Sequence, residues 1–342
     1  MHKQLVALAV ASFVAACSLR SKPSFVYVST EGGGDIAVVN PATTEIVARI
    51  PVGKRPRCIK VSRDGKLLYV ALSGSPRPGP RGDKTKLPPA DRSADGIGVI
   101  DLAQRKLVHV YAAGVDPVCF DFSSDEKTLY VSNGETAEMT VLDLASGAVR
   151  AKVPVGADAE GVTVRPDGKF VYVTSNTFAE VTMIDTATLA VAAQIPTGPR
   201  SRAIVFTKDG HTAFVTSEFD SVTVVDVSAN RPSGTILFDP GDRSSPDPRP
   251  MGAAFSPDGK ELYVSCGHGG SVAVIDVATR KQIHLYERLG DRPWGIEVSR
   301  DGAHLYTANG PSGDMSIVNA ATGRVESRVS VGRLPWGVAV GL

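Results

Sequence analysis

Arginine is the residue whose placement in this sequence best lends itself to chemistry. Arg55 and Arg57, Arg200 and Arg202, Arg249, and Arg292 each sit next to a proline or to the residue that stands in its place. Trp294 and Trp336 follow turns of the same kind, and Asp116, Asp158 and Glu160 occupy matching places elsewhere. A guanidinium offers a planar fork of donors suited to carboxylate or phosphate. Gathered round one opening with low-dielectric walls, such groups would focus a field on an anion. The carboxylates could instead work as general bases, which is hydrolase chemistry. Arginines and acids could also pair with one another and tie neighbouring elements together. The sequence leaves both uses of the arginines open.

Most catalytic signatures are missing. The chain has no Cys-x-x-Cys-His for covalent haem, no His-Glu-x-x-His for zinc, no Gly-x-Ser-x-Gly elbow and no P-loop. With 37 basic and 36 acidic residues the formal net charge is +1, so no general pull toward nucleic acid or anionic membrane is expected. Its 34 glycines, 23 prolines and 6% aromatic content suit many short strands joined by tight turns.

The elements that must carry these residues emerge from an internal repeat. A β-branched or aromatic run centred on tyrosine or phenylalanine recurs as Tyr27-Val28-Ser29, Tyr69-Val70-Ala71, Tyr130-Val131-Ser132, Tyr172-Val173-Thr174, Phe214-Val215-Thr216, Tyr263-Val264-Ser265 and Tyr306-Thr307-Ala308. A second alternating run follows each and ends at Asn40, Asp101, Asp143, Asp185, Asp226, Asp276 or Asn319. The period is about 42 residues, apart from two insertions. The fourth unit parses into strand a (Gly161 to Val164), strand b (Phe170 to Thr174), strand c (Val181 to Ile184) and strand d (Val191 to Ile195). Asp-Gly pairs at 64–65, 167–168, 209–210, 258–259 and 301–302 predict tight a–b turns, with Asp125-Glu126 as the exception. The acid or amide closing strand c is expected to hold the c–d turn by accepting backbone hydrogen bonds.

A four-stranded unit of this size cannot bury both faces alone, so successive units must pack face to face. The first repeat starts at strand b, and the last segment, Pro335 to Val340, is a strand a with nothing after it. The spare strand is expected to complete the first unit. The fold class expected is therefore all-β: a seven-bladed propeller of four-stranded antiparallel blades, closed by its C-terminal strand.

These motifs resemble the YVTN-repeat β-propellers, a bacterial family of exported proteins. The pattern stands here as Gly161…Pro166-Asp167-Gly168…Val171-Tyr172-Val173-Thr174-Ser175-Asn176…Met183-Ile184-Asp185-Thr186, and the likeness spans Phe25 to Leu342. Ile50-Pro51-Val52-Gly53-Lys54-Arg55-Pro56-Arg57 and Gly332-Arg333-Leu334-Pro335-Trp336-Gly337-Val338 are similar to the subgroup associated with pyrroloquinoline-quinone-dependent catabolism. The wider superfamily includes haem d1-domain-like propellers and lactonases. The resemblance implies a fold and no single reaction. Two tryptophans cannot supply the tryptophan-rich blades of quinone enzymes, so no cofactor is assigned.

In such a ring the d–a and b–c connections share one face. Both insertions, about 74–94 and 239–248, fall there. So do the d–a turns carrying Arg55, Arg57, Asp116, Asp158, Glu160, Arg200, Arg202, Arg249, Arg292, Trp294 and Trp336, which are expected to ring the channel mouth. Cys58 and Cys119 would face each other from adjacent inner strands. They are read as small buried thiols, with a disulfide as the alternative. Cys266 has no evident partner, and His268 is a lone loop histidine.

Residues 1–17 read as a targeting segment: His2 and Lys3, the apolar run Leu5 to Ala16, then Val14-Ala15-Ala16-Cys17, which resembles a bacterial lipobox. Residues 18–24 would be a short tether and 25–342 the propeller. The expectation is a monomer in the periplasm or outer membrane, lipid-anchored through Cys17 and touching membrane only through that lipid. Its expected role is non-enzymatic binding of an anionic small molecule or an envelope protein, with no specific nucleic acid binding. A lactonase-like hydrolase and a quinone- or haem d1-linked redox protein are the alternatives.

Overall fold

A computed structural model describes residues 24–77, 87–238 and 248–342. The targeting segment with Cys17, and residues 78–86 and 239–247 of the two insertions, lie outside the described residues. The seven repeats form seven four-stranded antiparallel sheets, as the periodicity requires. Blade one sets the C-terminal strand Pro335–Val340 beside Val26–Thr30, Asp35–Asn40 and Glu45–Pro51. Tyr27 pairs with Ala339 and Val28 with Val338, so the chain's last strand closes the ring. The innermost strands of blades two to seven are Ile59–Val61, Pro117–Phe122, Ala159–Val164, Ser201–Phe206, Pro250–Phe255 and Pro293–Val298.

Burial follows from face-to-face stacking. Strands b and c have neighbouring blades on both faces, so they read as continuous apolar runs; Leu67–Leu72 and Phe170–Ser175 are buried almost throughout. Each hydrophobic cluster spans two blades. One joins Tyr172 and Met183 of blade four to Ile204 and Val215 of blade five. Another joins Val26 and Val28 of blade one to Tyr306 and Met315 of blade seven.

The turns obey local chemistry. Gly168 takes φ +73° in its a–b turn, and Glu126 adopts φ +54° where the glycine is missing. The c–d acids are structural, as expected: Asp185 Oδ1 accepts from Thr188 N–H at 2.8 Å and Asp276 Oδ1 from Thr279 N–H at 2.7 Å.

A second device binds blade to blade at the wall of the channel. The hydroxyl ending the Tyr-Val-Ser/Thr run accepts from its own inner strand and donates to the next one. Thr174 Oγ1 accepts from Gly161 N–H at 2.7 Å and donates to the Arg202 carbonyl at 2.8 Å. The donation recurs from Ser29 to Arg57, Ser132 to Glu160, Thr216 to Met251 and Ser265 to Trp294. The inner strands lie so close here that a Cβ on Gly161 would sit 2.3 Å from the Arg202 carbonyl oxygen. On Gly337 it would sit 2.6 Å from that of Arg57.

Blades two and seven carry Ala71 and Ala308 in place of the hydroxyl. At the first gap Cys58 and Cys119 form a disulfide, with Cα atoms 4.9 Å apart. This corrects the expectation of free thiols, which assumed a separation beyond roughly 7 Å. Inner strands converge on the axis at this level, so small residues there come into contact. Cys266 remains a buried free thiol, its pKa pushed up to about 12 by burial.

Candidate functional site

Each d–a turn ends on one residue in the left-handed backbone region. Arg55, Asp116, Asp158, Arg200, Arg249, Arg292 and Leu334 have φ between +45° and +58°, and none is glycine. An L-residue gives up about 1 kcal/mol or more in this conformation. At six of the seven the surrounding structure fixes it by tying the carbonyl of that residue to its own b–c loop, as where Glu218 N–H donates to Arg200 O at 3.1 Å and Gly267 N–H to Arg249 O at 2.8 Å; beside Arg55 the bond is instead from Ser73 N–H to Lys54 O at 3.1 Å. The turns thereby bring Arg55, Arg57, Arg292, Trp294, Leu334 and Trp336 to the mouth of the channel.

The charges sort into two clusters. In blades one to three, Asp116 is buried and accepts from Arg57 at 2.7 Å and from Ser73 at 2.6 Å. Arg55 lies 3.5 Å from Asp116 and 2.7 Å from Glu31, and Arg77 stands 3.8 Å from Asp116. Burial would raise the Asp116 pKa, but Arg57 and Ser73 more than reverse this and hold it low. In blades four to seven, buried Arg202 bridges Glu160 and Glu218. Glu218 also meets Arg200 at 2.8 Å, Arg249 at 3.7 Å and Arg292 at 3.9 Å. Burial works against its ionisation, yet Arg202 and Arg200 bring its pKa down to about 2.

Of the residues expected on the rim, Arg55, Arg57, Glu160, Arg292, Trp294 and Trp336 line the opening and Arg202 the channel beneath it, and their charges are largely self-neutralised. Arg57 and Arg202, the most buried of its arginines, are structural ties between blades. The seven arginines share four carboxylates in direct ion pairs, leaving cationic excess at the mouth. It is carried by the half-exposed Arg77, Arg200, Arg249 and Arg292, of which Arg292 and Arg77 line the opening. Among the described residues Asp158 takes no such ion pair; burial first, then neighbouring Glu160, raises its pKa.

Below the mouth, Trp294 and Trp336 form a collar, their ring centroids 5.7 Å apart. Arg292 and Arg202 lie over the Trp294 ring at 5.1 and 5.7 Å. The mouth holds about 330 Å³ and the channel beneath it about 240 Å³; both are lined by Trp294, Trp336 and Glu160. Deeper, the wall carries Met251, Val162 and Val205, and then Lys60 and Glu297. On the outer part of the same face, Phe178 and Phe219 project from the b–c loops of blades four and five, 62% and 51% exposed.

Sequence reasoning expected all eleven residues at this mouth, whereas Asp116, Asp158, Arg200 and Arg249 are not among the residues that line it or the channel beneath. It missed Glu31 and Glu218, which head b–c loops and are the principal partners of Arg55 and of the arginines of blades five to seven. It also missed Arg77 and the channel-wall Glu297. Among the described residues, no group of three or more His, Cys, Asp or Glu could hold a metal ion.

The description of the cytochrome D1 heme domain family matches residues 90–237. No curated protein matches the sequence. Among solved structures, the Pseudomonas aeruginosa periplasmic gluconolactonase is similar at 18% identity and a TM-score of 0.74, covering 93% of this chain and 99% of that one. A protein described as a putative 6-phosphogluconolactonase, from Bacteroides fragilis, gives 16% identity, a TM-score of 0.73, and coverage of 94% and 99%. A dihydro-heme d1 dehydrogenase gives 16% identity, a TM-score of 0.65, and coverage of 94% and 76%. Among the described residues that line the channel and mouth there is no imidazole and no free thiol to ligate a haem iron, and the thioether of Met251 is the haem-ligand type present. Repeat, ring closure and these likenesses agree on one architecture: the chain is a seven-bladed β-propeller.

Proposed function

We propose that this is an exported, non-enzymatic binding protein of the bacterial cell envelope, which holds an anionic ligand at the arginine-rich mouth of its channel. One observation carries the reading. After the internal ion pairs are formed, Arg77 and Arg292 still line the mouth, 3.8 Å from Asp116 and 3.9 Å from Glu218, their nearest carboxylates among the described residues, beside two tryptophans. An incoming carboxylate or phosphate would find guanidinium groups already held in place, with aromatic surface for its apolar part. The exposed Phe178 and Phe219 on the same face extend the binding surface toward an acidic envelope partner. Export, with a lipid on Cys17, rests on the apolar run Leu5 to Ala16 and the cysteine after it.

The chain's two tryptophans both line this site, so intrinsic fluorescence reports on it directly. Titration with carboxylates and phosphates should shift the emission, and Arg77→Glu with Arg292→Glu should abolish the response while the protein stays folded. A response untouched by that double change would overturn the reading.

Asp158 favours a second reading, hydrolysis of a lactone. It neighbours Glu160 and has no direct ion pair among the described residues, and its raised pKa suits a general base. Lactone turnover lost in Asp158→Asn would decide for the hydrolase.

A further inference from the structure

The channel continues past the tryptophan collar and ends at a group that the anion site does not use. Glu297 lies on the innermost strand of blade seven, three residues beyond Trp294, and faces the channel. It is half-buried in the channel wall, and desolvation there raises its pKa. Its hydrogen bond among the described residues comes from the Val298 N–H at 3.2 Å. A carboxylate has capacity for several more donors.

The nearest cation, Lys60, is already bound to Asp121 at 2.6 Å. Asp121 in turn accepts from Val164 N–H at 2.8 Å. Lys60 and Asp121 neutralise one another, so Glu297 when ionised is an uncompensated negative charge, whereas the opposite end of the same channel is cationic. Between them the wall is Met251, Val162 and Val205 beneath the two tryptophans. The distance from collar to Glu297 is about 10 Å along the strand.

We propose that Glu297 is the inner half of a two-ended site that takes an amphiphile with an anionic head and an ammonium tail. The head stays at Arg77 and Arg292, the methylene chain lies against the tryptophans and the apolar wall, and the ammonium pairs with Glu297. An extended eight-carbon ω-amino acid has about the length the channel requires. The anionic half of this site rests on the proposed function above, while the Glu297 half is independent of it.

The experiment compares octanoate, ω-aminooctanoate and octylamine on the full-length protein by tryptophan fluorescence. The expected result is that ω-aminooctanoate binds about tenfold more tightly than octanoate, as one charge-assisted hydrogen bond allows. Glu297→Gln should erase that difference and leave octanoate binding unchanged. Equal affinities for octanoate and ω-aminooctanoate in the unmodified protein would overturn the inner site and leave the arginine mouth standing. Octylamine binding that depends on Glu297, without octanoate binding, would sustain the inner site and overturn the mouth. Failure of all three probes at millimolar concentration would overturn the proposal. The wild-type comparison decides even if Glu297→Gln does not fold.

Discussion

Cys58 and Cys119 bridge blades two and three at the junction where Ala71 leaves no hydroxyl to reach the next inner strand. Their Cα atoms lie 4.9 Å apart, at the level where the other blades place Gly161, Ala203, Gly252, Gly295 and Gly337. The bond therefore stands in for a hydrogen bond that blades one, three, four, five and six all make. It closes a loop with a sequence separation of 61, for which chain entropy suggests about 4 kcal/mol. Changing both cysteines to alanine, or reducing the bond, should lower the denaturation midpoint. Adding Ala71→Ser to the double alanine variant should restore about 1 kcal/mol, the worth of a typical hydrogen bond. No recovery in denaturant unfolding would mean that serine cannot take over the link at this junction.

The hydroxyl links that remain should be costly to remove. Thr174→Val keeps the shape of the side chain but strips a donor from the Arg202 carbonyl and an acceptor from Gly161 N–H. Two buried backbone groups then lose a partner, and a loss of roughly 1–3 kcal/mol in unfolding free energy is expected. Thr163→Val, one strand inward, removes only the bond to the Ile204 carbonyl at 2.7 Å and should cost less.

The arginines of the mouth should separate into two groups on mutation. Arg202 is 8% exposed and holds Glu160 and Glu218 together; Arg202→Met leaves both acids buried beside one another and should cost about 3–5 kcal/mol. Arg292 is 31% exposed and 3.9 Å from Glu218, so Arg292→Ala should cost under about 1 kcal/mol. Thermal melts distinguish the two, and equal losses would show that the half-exposed arginines also tie blades together.

The fold was legible because each repeat states its own strands and turns, and because a missing strand at Phe25 matches a spare one at Pro335. The c–d acids such as Asp185 were legible for the same local reason. The site was legible only in outline. Arg202 and Glu160 could be placed on the mouth by register, but whether they face a ligand or each other depends on Glu218, which comes from a b–c loop 16 residues away. The left-handed turn residues carry no glycine or asparagine to announce them; Arg200 and Arg292 adopt that backbone because the loop above holds their carbonyls. Glu297 escaped notice because an inner strand near the axis exposes residues that strand alternation alone would count as packed. The Cys58–Cys119 bond escaped because the approach of inner strands at the axis is set by ring closure, not by any local pattern.

Acid should loosen the mouth before it melts the blades. Burial would raise the Glu218 pKa, but Arg202 and Arg200 hold it at about 2 in the folded protein, against an ordinary glutamate value of 4.5. A carboxylate depressed on folding contributes stability that is present in full above its unfolded pKa. That contribution fades as pH falls from about 4.5 toward about 2, because the unfolded chain takes up its proton first. Asp116 is depressed in the same direction by Arg57 and Ser73 despite its burial, and should add to the loss over the acid range. Unfolding free energy measured across this window should therefore decline steadily with falling pH. Glu218→Gln should be less stable at neutral pH and should show a shallower decline, since its amide has no proton to gain. A variant with the same slope as the parent would place the acid sensitivity elsewhere, in exposed turn carboxylates such as Asp258, whose pKa is also held at about 2 by Ser256 and the Lys260 N–H.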